Sequence, residues 1–275
     1  MNVKELDPDS SPQAAFGARL RRIRCELGLT QDELGDRMGY SSTHLSSVET
    51  GRKMPTLRLS RRADEALGTA DAFEREWREM RHGLLLEGFP EFLEYEARAA
   101  EIRLYEVGVM PGLLQTPEYA AVLADSAVKR GAITSDQADE RVALVAERQA
   151  SLIRTPPPVI FAVLDEGCVL RPVGGPEVVE AQLTRLLEFA DQPNTVLQIA
   201  PFTMGERRPF NLPITVLTMP NRSLMSYAES AQRGDLERES TSVVPQLTAY
   251  HQLQAEALSQ ADTVALIEKV RKGTS

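Results

Sequence analysis

A chain of 275 residues is too long for one small helical module and suits two domains, or one domain with a substantial appendage. Its 42% hydrophobic content is enough for a real core, yet no run of about 18 uncharged apolar residues is present to cross a membrane as a helix. A net charge of −9 argues at first sight against a DNA-binding chain.

The charge distribution answers that objection. Residues 17–62 hold ten basic residues against five acidic ones, a local +5 that leaves −14 on the rest of the chain. Such asymmetry suits one nucleic-acid-facing module on an acidic body, though a solvated arginine-rich face would look the same. Residues 1–12 are polar and acidic, end in Ser-Ser-Pro and read as a disordered tail. They lack the apolar run of a secretory signal, so the expected location is cytoplasmic. Cys25 and Cys168 are far apart and lack metal-ligand spacing. Each is expected to be a buried small hydrophobe.

In chain order, the first helix spans Gln13 to Leu27, with Phe16, Leu20, Ile23 and Leu27 on one face and Gly28 stopping it. Thr30 caps a second helix over Gln31–Met38, and Glu33 completes a capping box. Gly39 and Tyr40 make a turn. Ser41 then caps a third helix that runs to Glu49, with Leu45 and Val48 inward. A fourth spans Thr56 to Leu67 before Gly68, and a fifth Asp71 to Arg81 with Phe73, Trp77 and Met80 as packing residues.

Two short helices joined by a tight glycine-containing turn meet the geometric requirement for reading a DNA groove. The second needs short polar side chains near its N-terminus. Ser41, Ser42, Thr43 and His44 stand there, followed by Ser46 and Ser47. Ser41 is better explained as a cap, and Glu49 as an internal ion-pair or hydrogen-bond partner, since phosphate repels a carboxylate. Gly35 in the second helix would let the third approach closely.

Residues 13–68 resemble the lambda-repressor-like, or XRE-type, helix-turn-helix family. The resemblance rests on Leu29-Thr30-Gln31-Asp32-Glu33-Leu34 and on Leu45-Ser46-Ser47-Val48-Glu49-Thr50-Gly51-Arg52-Lys53-Met54-Pro55. It implies that Gln31 binds phosphate, that Ser42, Thr43 and His44 face base edges with Ser47 at the rim, and that Arg52 and Lys53 contact phosphates. Gly35 stands where the family usually has alanine.

From residue 84 an amphipathic connection becomes helical at Pro90. A strand follows from Ile102 to Val107, and Pro111-Gly112 signals a turn. Thr116 caps a helix with proline at its first position, and Thr134 or Ser135 caps a longer one reaching Leu152. Strands are expected at Val159–Leu164, Thr195–Ala200, Ile214–Met219 and Leu224–Glu229, with a helix over Pro176–Ala190 and a helical stretch from 240 to 272. The expected architecture is a mainly α, five-helix helix-turn-helix domain (13–82) after the tail, then an α/β domain (83–275) of undetermined strand order.

The second region carries Val109-Met110-Pro111-Gly112-Leu113-Leu114-Gln115-Thr116-Pro117-Glu118-Tyr119-Ala120, Glu147-Arg148-Gln149 and Val173-Gly174-Gly175. Over about 85–270 it resembles the C-terminal domain fused to XRE-type modules in many actinobacterial regulators. That resemblance implies regulation of development or secondary metabolism and pairing with small partner proteins in antitoxin-like systems.

The three histidines fit no metal-ligand pattern, and neither a GxSxG elbow nor a Walker loop occurs. No catalytic residue, metal or cofactor is therefore expected. Glu166, Arg171, Tyr227 and Glu229 are polar residues at expected strand ends, where they could line a ligand pocket or serve as structural hydrogen-bond partners. Arg148 and Gln149 are expected to pair within the domain. The sequence thus reads as a regulator, not an enzyme, that binds double-stranded DNA as a homodimer. Its C-terminal domain would sense an effector or bind a protein partner. An antitoxin-like half of a two-protein module, or a catalytic domain built on Glu166 and Glu229, is the alternative.

Overall fold

The computed structural model describes Pro8 and residues 11–82, 88–230 and 233–273. The chain divides into two compact units, Met1–Leu85 and Leu86–Ser275.

The first unit contains α1 (Pro12–Glu26), α2 (Gln31–Met38), α3 (Ser42–Glu49), α4 (Leu57–Leu67) and α5 (Ala72–His82). Each of the first four starts on a hydroxyl that accepts a hydrogen bond from a first-turn backbone N–H: Ser11, Thr30, Ser41 and Thr56. Glu33 returns the bond to the Thr30 N–H at 2.8 Å, completing the capping box. Gly39 and Gly68 end α2 and α4 in the left-handed conformation. The helices close over Phe16, Leu20, Leu34, Met38, Leu45, Val48, Leu59, Phe73 and Trp77. Phe16 meets Phe73 edge to face at 5.1 Å. Asp64 is buried and serves the start of α5. Its Oδ1 accepts from the Phe73 N–H (3.0 Å) and its Oδ2 from the Glu74 N–H (2.9 Å), placing negative charge where the helix dipole favours it.

The second unit is a mixed sheet between helices. Its elements are α6 (Phe89–Glu96), β1 (Glu101–Glu106), a 3₁₀ turn at Gly112–Leu114, α7 (Pro117–Lys129), α8 (Ser135–Ser151), β2 (Val159–Asp165), α9 (Glu166–Leu170), α10 (Pro176–Ala190), β3 (Thr195–Ala200), β4 (Ile214–Thr218), β5 (Leu224–Glu229), β6 (Gly234–Glu237), α11 (Ser240–Glu256) and α12 (Gln260–Gly273). The strand order is β3-β2-β1-β4-β5-β6. β1, β2 and β3 are parallel, whereas β4, β5 and β6 continue antiparallel from β1. Helical crossovers are what parallel neighbours require, and α7–α8 and α9–α10 supply them.

Alternation along the strands builds two cores. Ile102, Leu104, Ile160, Leu164, Leu197 and Ile199 face Leu183, Leu186, Phe189 and Ile267 on one side. Tyr105, Val163, Ala200 and Val216 face Val243, Tyr250 and Leu253 on the other. The Tyr250 hydroxyl is shared between the Phe161 and Leu104 carbonyls (2.9 and 3.2 Å), and burial pushes its pKa far up.

Three features depart from the sequence reading. The helical stretch over 240–272 breaks between α11 and α12, because Leu258 turns to donate its N–H to the Ile199 carbonyl at 2.9 Å. Thr263 Oγ1 accepts the Ile199 N–H at 3.1 Å, so the break covers the otherwise open edge of β3. The short strand β6 begins at Gly234, where a Cβ would lie 2.1 Å from the Tyr227 hydroxyl. The helix α9 follows β2 directly, its first turn capped by Asp165 Oδ1 on the Gly167 N–H.

Candidate nucleic-acid interface

The helix-turn-helix of the first unit is α2, its turn and α3. Gly35 lies where α2 meets that turn, and a Cβ there would stand 2.5 Å from the Tyr40 carbonyl oxygen. The sequence reading placed a close approach at Gly35, and the close neighbour is the turn backbone. Gly35→Ala is therefore expected to lose about 1–3 kcal/mol of stability from crowding. Set against the gain of about 1 kcal/mol that alanine brings to a helix interior, the expected net loss is up to about 2 kcal/mol. Urea unfolding followed by Trp77 fluorescence measures it, since Trp77 is fully buried in this unit and is the chain's one tryptophan. Gly17, which the sequence reading passed over, performs the same service between α1 and α3. A Cβ on it would lie 2.4 Å from the Val48 carbonyl oxygen.

A buried ion pair fixes the angle of α3. Arg24 Nε and Nη2 donate to Glu49 Oε1 and Oε2 at 2.5 and 2.9 Å, and Arg24 Nη1 donates to the Leu29 carbonyl at 2.7 Å. The bond to Glu49 holds the Arg24 guanidinium even more firmly protonated than usual. Glu49 is thus the internal partner its sign suggested. Gln31 Nε2 also donates to Glu49 Oε2, at 2.7 Å, which commits one of its two amide hydrogens and leaves the other. The network joins α1, α2 and α3 through charge-assisted bonds.

The polar residues of this motif are not equivalent. Ser41 caps α3, its Oγ accepting from the His44 N–H at 3.2 Å. Ser42 is half-buried and Thr43 exposed. The His44 ring is half-buried against Tyr40, centroids 4.9 Å apart. Ser47 Oγ donates to the Thr43 carbonyl at 2.9 Å. Past α3, the Arg52 and Lys53 N–H groups both donate to the Ser47 carbonyl (2.9 and 3.0 Å), so the loop folds back on the helix. Arg52 is exposed, its Nε on Thr50 Oγ1. Several other arginines are matched by acids: Arg19 by Glu76, Arg61 by Glu74 and Arg62 by Glu65. Arg52 and Arg58 have no ion pair among the described residues.

Residues 15–77 match the family model described as a helix-turn-helix domain, and residues 89–269 match the one described as Domain of unknown function (DUF5753). The chain belongs to the DUF5753 family. Its N-terminal unit is an XRE-like helix-turn-helix domain, and its relatives are named as HTH-type transcriptional regulators. One, "Uncharacterized HTH-type transcriptional regulator y4dJ" from Sinorhizobium fredii, is 43% identical over 54 residues, 20% of this chain and 70% of the relative. Another, from Methanothermobacter thermautotrophicus, is 45% identical over 49 residues, 18% of this chain and 71% of the relative. No solved structure matches.

In the DUF5753 unit each of the four candidate ligand residues makes a hydrogen bond within the fold. Glu166 Oε2 accepts from the Phe202 N–H at 2.7 Å. Arg171, which follows α9 and not a strand, donates from Nε to the Gly108 carbonyl at 2.9 Å. The Tyr227 hydroxyl donates to Glu229 Oε1 at 3.0 Å, and its ring stacks on Phe92 with centroids 4.1 Å apart. Sequence reasoning missed Glu106, at the carboxyl end of β1. Burial raises its carboxyl pKa, against the Val107 and Gly108 N–H groups that lower it, and the charge of Glu229 adds to the rise. Its signal was an acidic residue closing an apolar strand ahead of Val-Gly. Cys168 is buried, with its thiol pushed up by desolvation, whereas Cys25 is exposed against expectation because it lies on the solvent side of α1. Among the described residues no cluster of His, Cys, Asp or Glu is arranged to hold a metal, and no helix is long and apolar enough to cross a membrane.

Proposed function

We propose that the protein is a cytoplasmic, sequence-specific regulator of transcription that binds double-stranded DNA as a homodimer, with α3 in the major groove of each half-site. The observation that carries this reading is a rod with a polar N-terminal tip, buried through Leu45, Val48 and Glu49 and held at its far end by Arg24. Ser42, Thr43 and His44 are assigned to base edges, Ser47 to the rim, and Gln31, Arg52 and Lys53 to phosphates. Two half-sites about one DNA turn apart follow from the few base pairs one such helix reaches. The C-terminal domain takes the regulating signal, an effector or a small protein partner, by favouring one DNA-binding state over the other.

Genome-wide footprinting of wild type beside a Thr43→Ala, His44→Ala variant tests the reading. The variant is expected to lose or redistribute its sites. A companion Arg52→Ala, Lys53→Ala variant should reduce the slope of log affinity against log salt by about 0.9 for each phosphate contact removed. Unchanged sites and an unchanged slope would sink the assignment of this tip.

A further inference from the structure

The side chains of α3 decide which bases it can read. Its sequence, Ser-Thr-His-Leu-Ser-Ser-Val-Glu, contains no arginine, lysine, asparagine or glutamine. Those are the residues that make two-point contacts with guanine or adenine in the major groove. What remains is the His44 ring, hydroxyl groups, which accept or donate to any base and discriminate poorly, and methyl groups. Leu45 and Val48 are buried, so Thr43 is the residue of α3 that carries a methyl group into solvent. It is the second residue of the helix, at the end that enters the groove. His44 is held against Tyr40, and the Ser47 hydroxyl proton is committed to the Thr43 carbonyl. Neither carries a methyl group.

We infer that Thr43 is the specificity-determining residue of α3, and that its methyl group packs on the 5-methyl group of a thymine in each half-site. Apolar contact with that methyl is how a short side chain tells a T·A pair from the other three. The inference rests on the DNA-binding reading and names the base that the site prefers.

Full-length protein is used to select duplexes from a random library, and each thymine of an enriched duplex is replaced in turn by uracil, which removes only the methyl. At one position per half-site the replacement should weaken wild-type binding about fourfold, the worth of one buried methyl-sized group. Thr43→Ser should bind the thymine duplex as weakly as wild type binds the uracil one, and should not tell them apart. Thr43→Val, which keeps a methyl and loses the hydroxyl, should still discriminate. The inference falls if no uracil replacement matters to wild type, or if Thr43→Ser discriminates as wild type does. A library from which nothing is enriched would instead overturn the DNA-binding reading itself, and this inference with it.

Discussion

Replacing Glu49 with alanine is expected to lower the stability of the helix-turn-helix unit by about 3–5 kcal/mol, the range for removing one partner of a buried ion pair. The Glu49 side chain is 1% exposed and that of Arg24 10%. Without the carboxylate, Arg24 keeps its charge and its bond to the Leu29 carbonyl but loses two charge-assisted bonds, and Gln31 loses its acceptor. A unit of this size is marginally stable, so such a loss is most of what it has. DNA binding should fail with it, because the residues that hold α3 are the ones released. The cost comes from a stranded charge and not from lost attraction alone, so Arg24→Met with Glu49→Leu should recover much of the stability. Trp77 fluorescence in urea reads both variants. A Glu49→Ala transition within about 1 kcal/mol of wild type would show that the pair does not hold the helix.

How much of this was legible depends on the range of the determining interactions. The helices of the first unit could be placed closely because their signals are local: Thr30 with Glu33, Ser41, Thr56, and the glycines at 39 and 68. The role of Glu49 was readable from its sign, but Arg24 lies 25 residues away and nothing in the sequence names it as the partner. Gly17 left no trace because a small residue inside a helix can be small for many reasons. The limit it obeys is set by Val48, on another helix. In the second unit, β1 to β5 announced themselves by apolar residues in runs or in alternation. The strand β6, Gly-Asp-Leu-Glu, lacks the β-branched and aromatic residues that signal strands and exists because β5 offers it an edge. Strand order depends on register between distant segments, which periodicity does not encode. The candidate ligand residues were selected as polar groups at strand ends. Such groups hydrogen-bond to backbone as readily as they bind ligands, and Glu166 meets the Phe202 N–H and Arg171 the Gly108 carbonyl, both in exposed bonds.

The C-terminal unit has its own buried Arg–Glu pair, and Glu96→Ala is expected to cost it about 3–5 kcal/mol. Arg148 Nε and Nη2 reach Glu96 Oε2 and Oε1 at 2.9 and 2.8 Å, a two-pronged contact between α8 and α6. The guanidinium lies 5.4 Å from the Phe89 ring centroid and 6.0 Å from that of Phe92, and Phe92 in turn stacks on Tyr227. Gly112 closes the remaining side, where a Cβ would stand 3.1 Å from Arg148 Nη1. Next to it on α8, Gln149 Nε2 donates to the Gly112 and Gln115 carbonyls at 2.8 and 2.9 Å. The helix α8 thereby fixes both the aromatic stack and the loop that follows β1. Arg148→Lys should recover little of the wild-type stability, because an ammonium offers a point charge where the site needs a planar fork. Far-UV circular dichroism in urea reads the loss, with Trp77 fluorescence reporting the N-terminal unit separately. If Arg148→Lys proved as stable as wild type, charge alone would hold α6 to α8, and the fork geometry would contribute nothing.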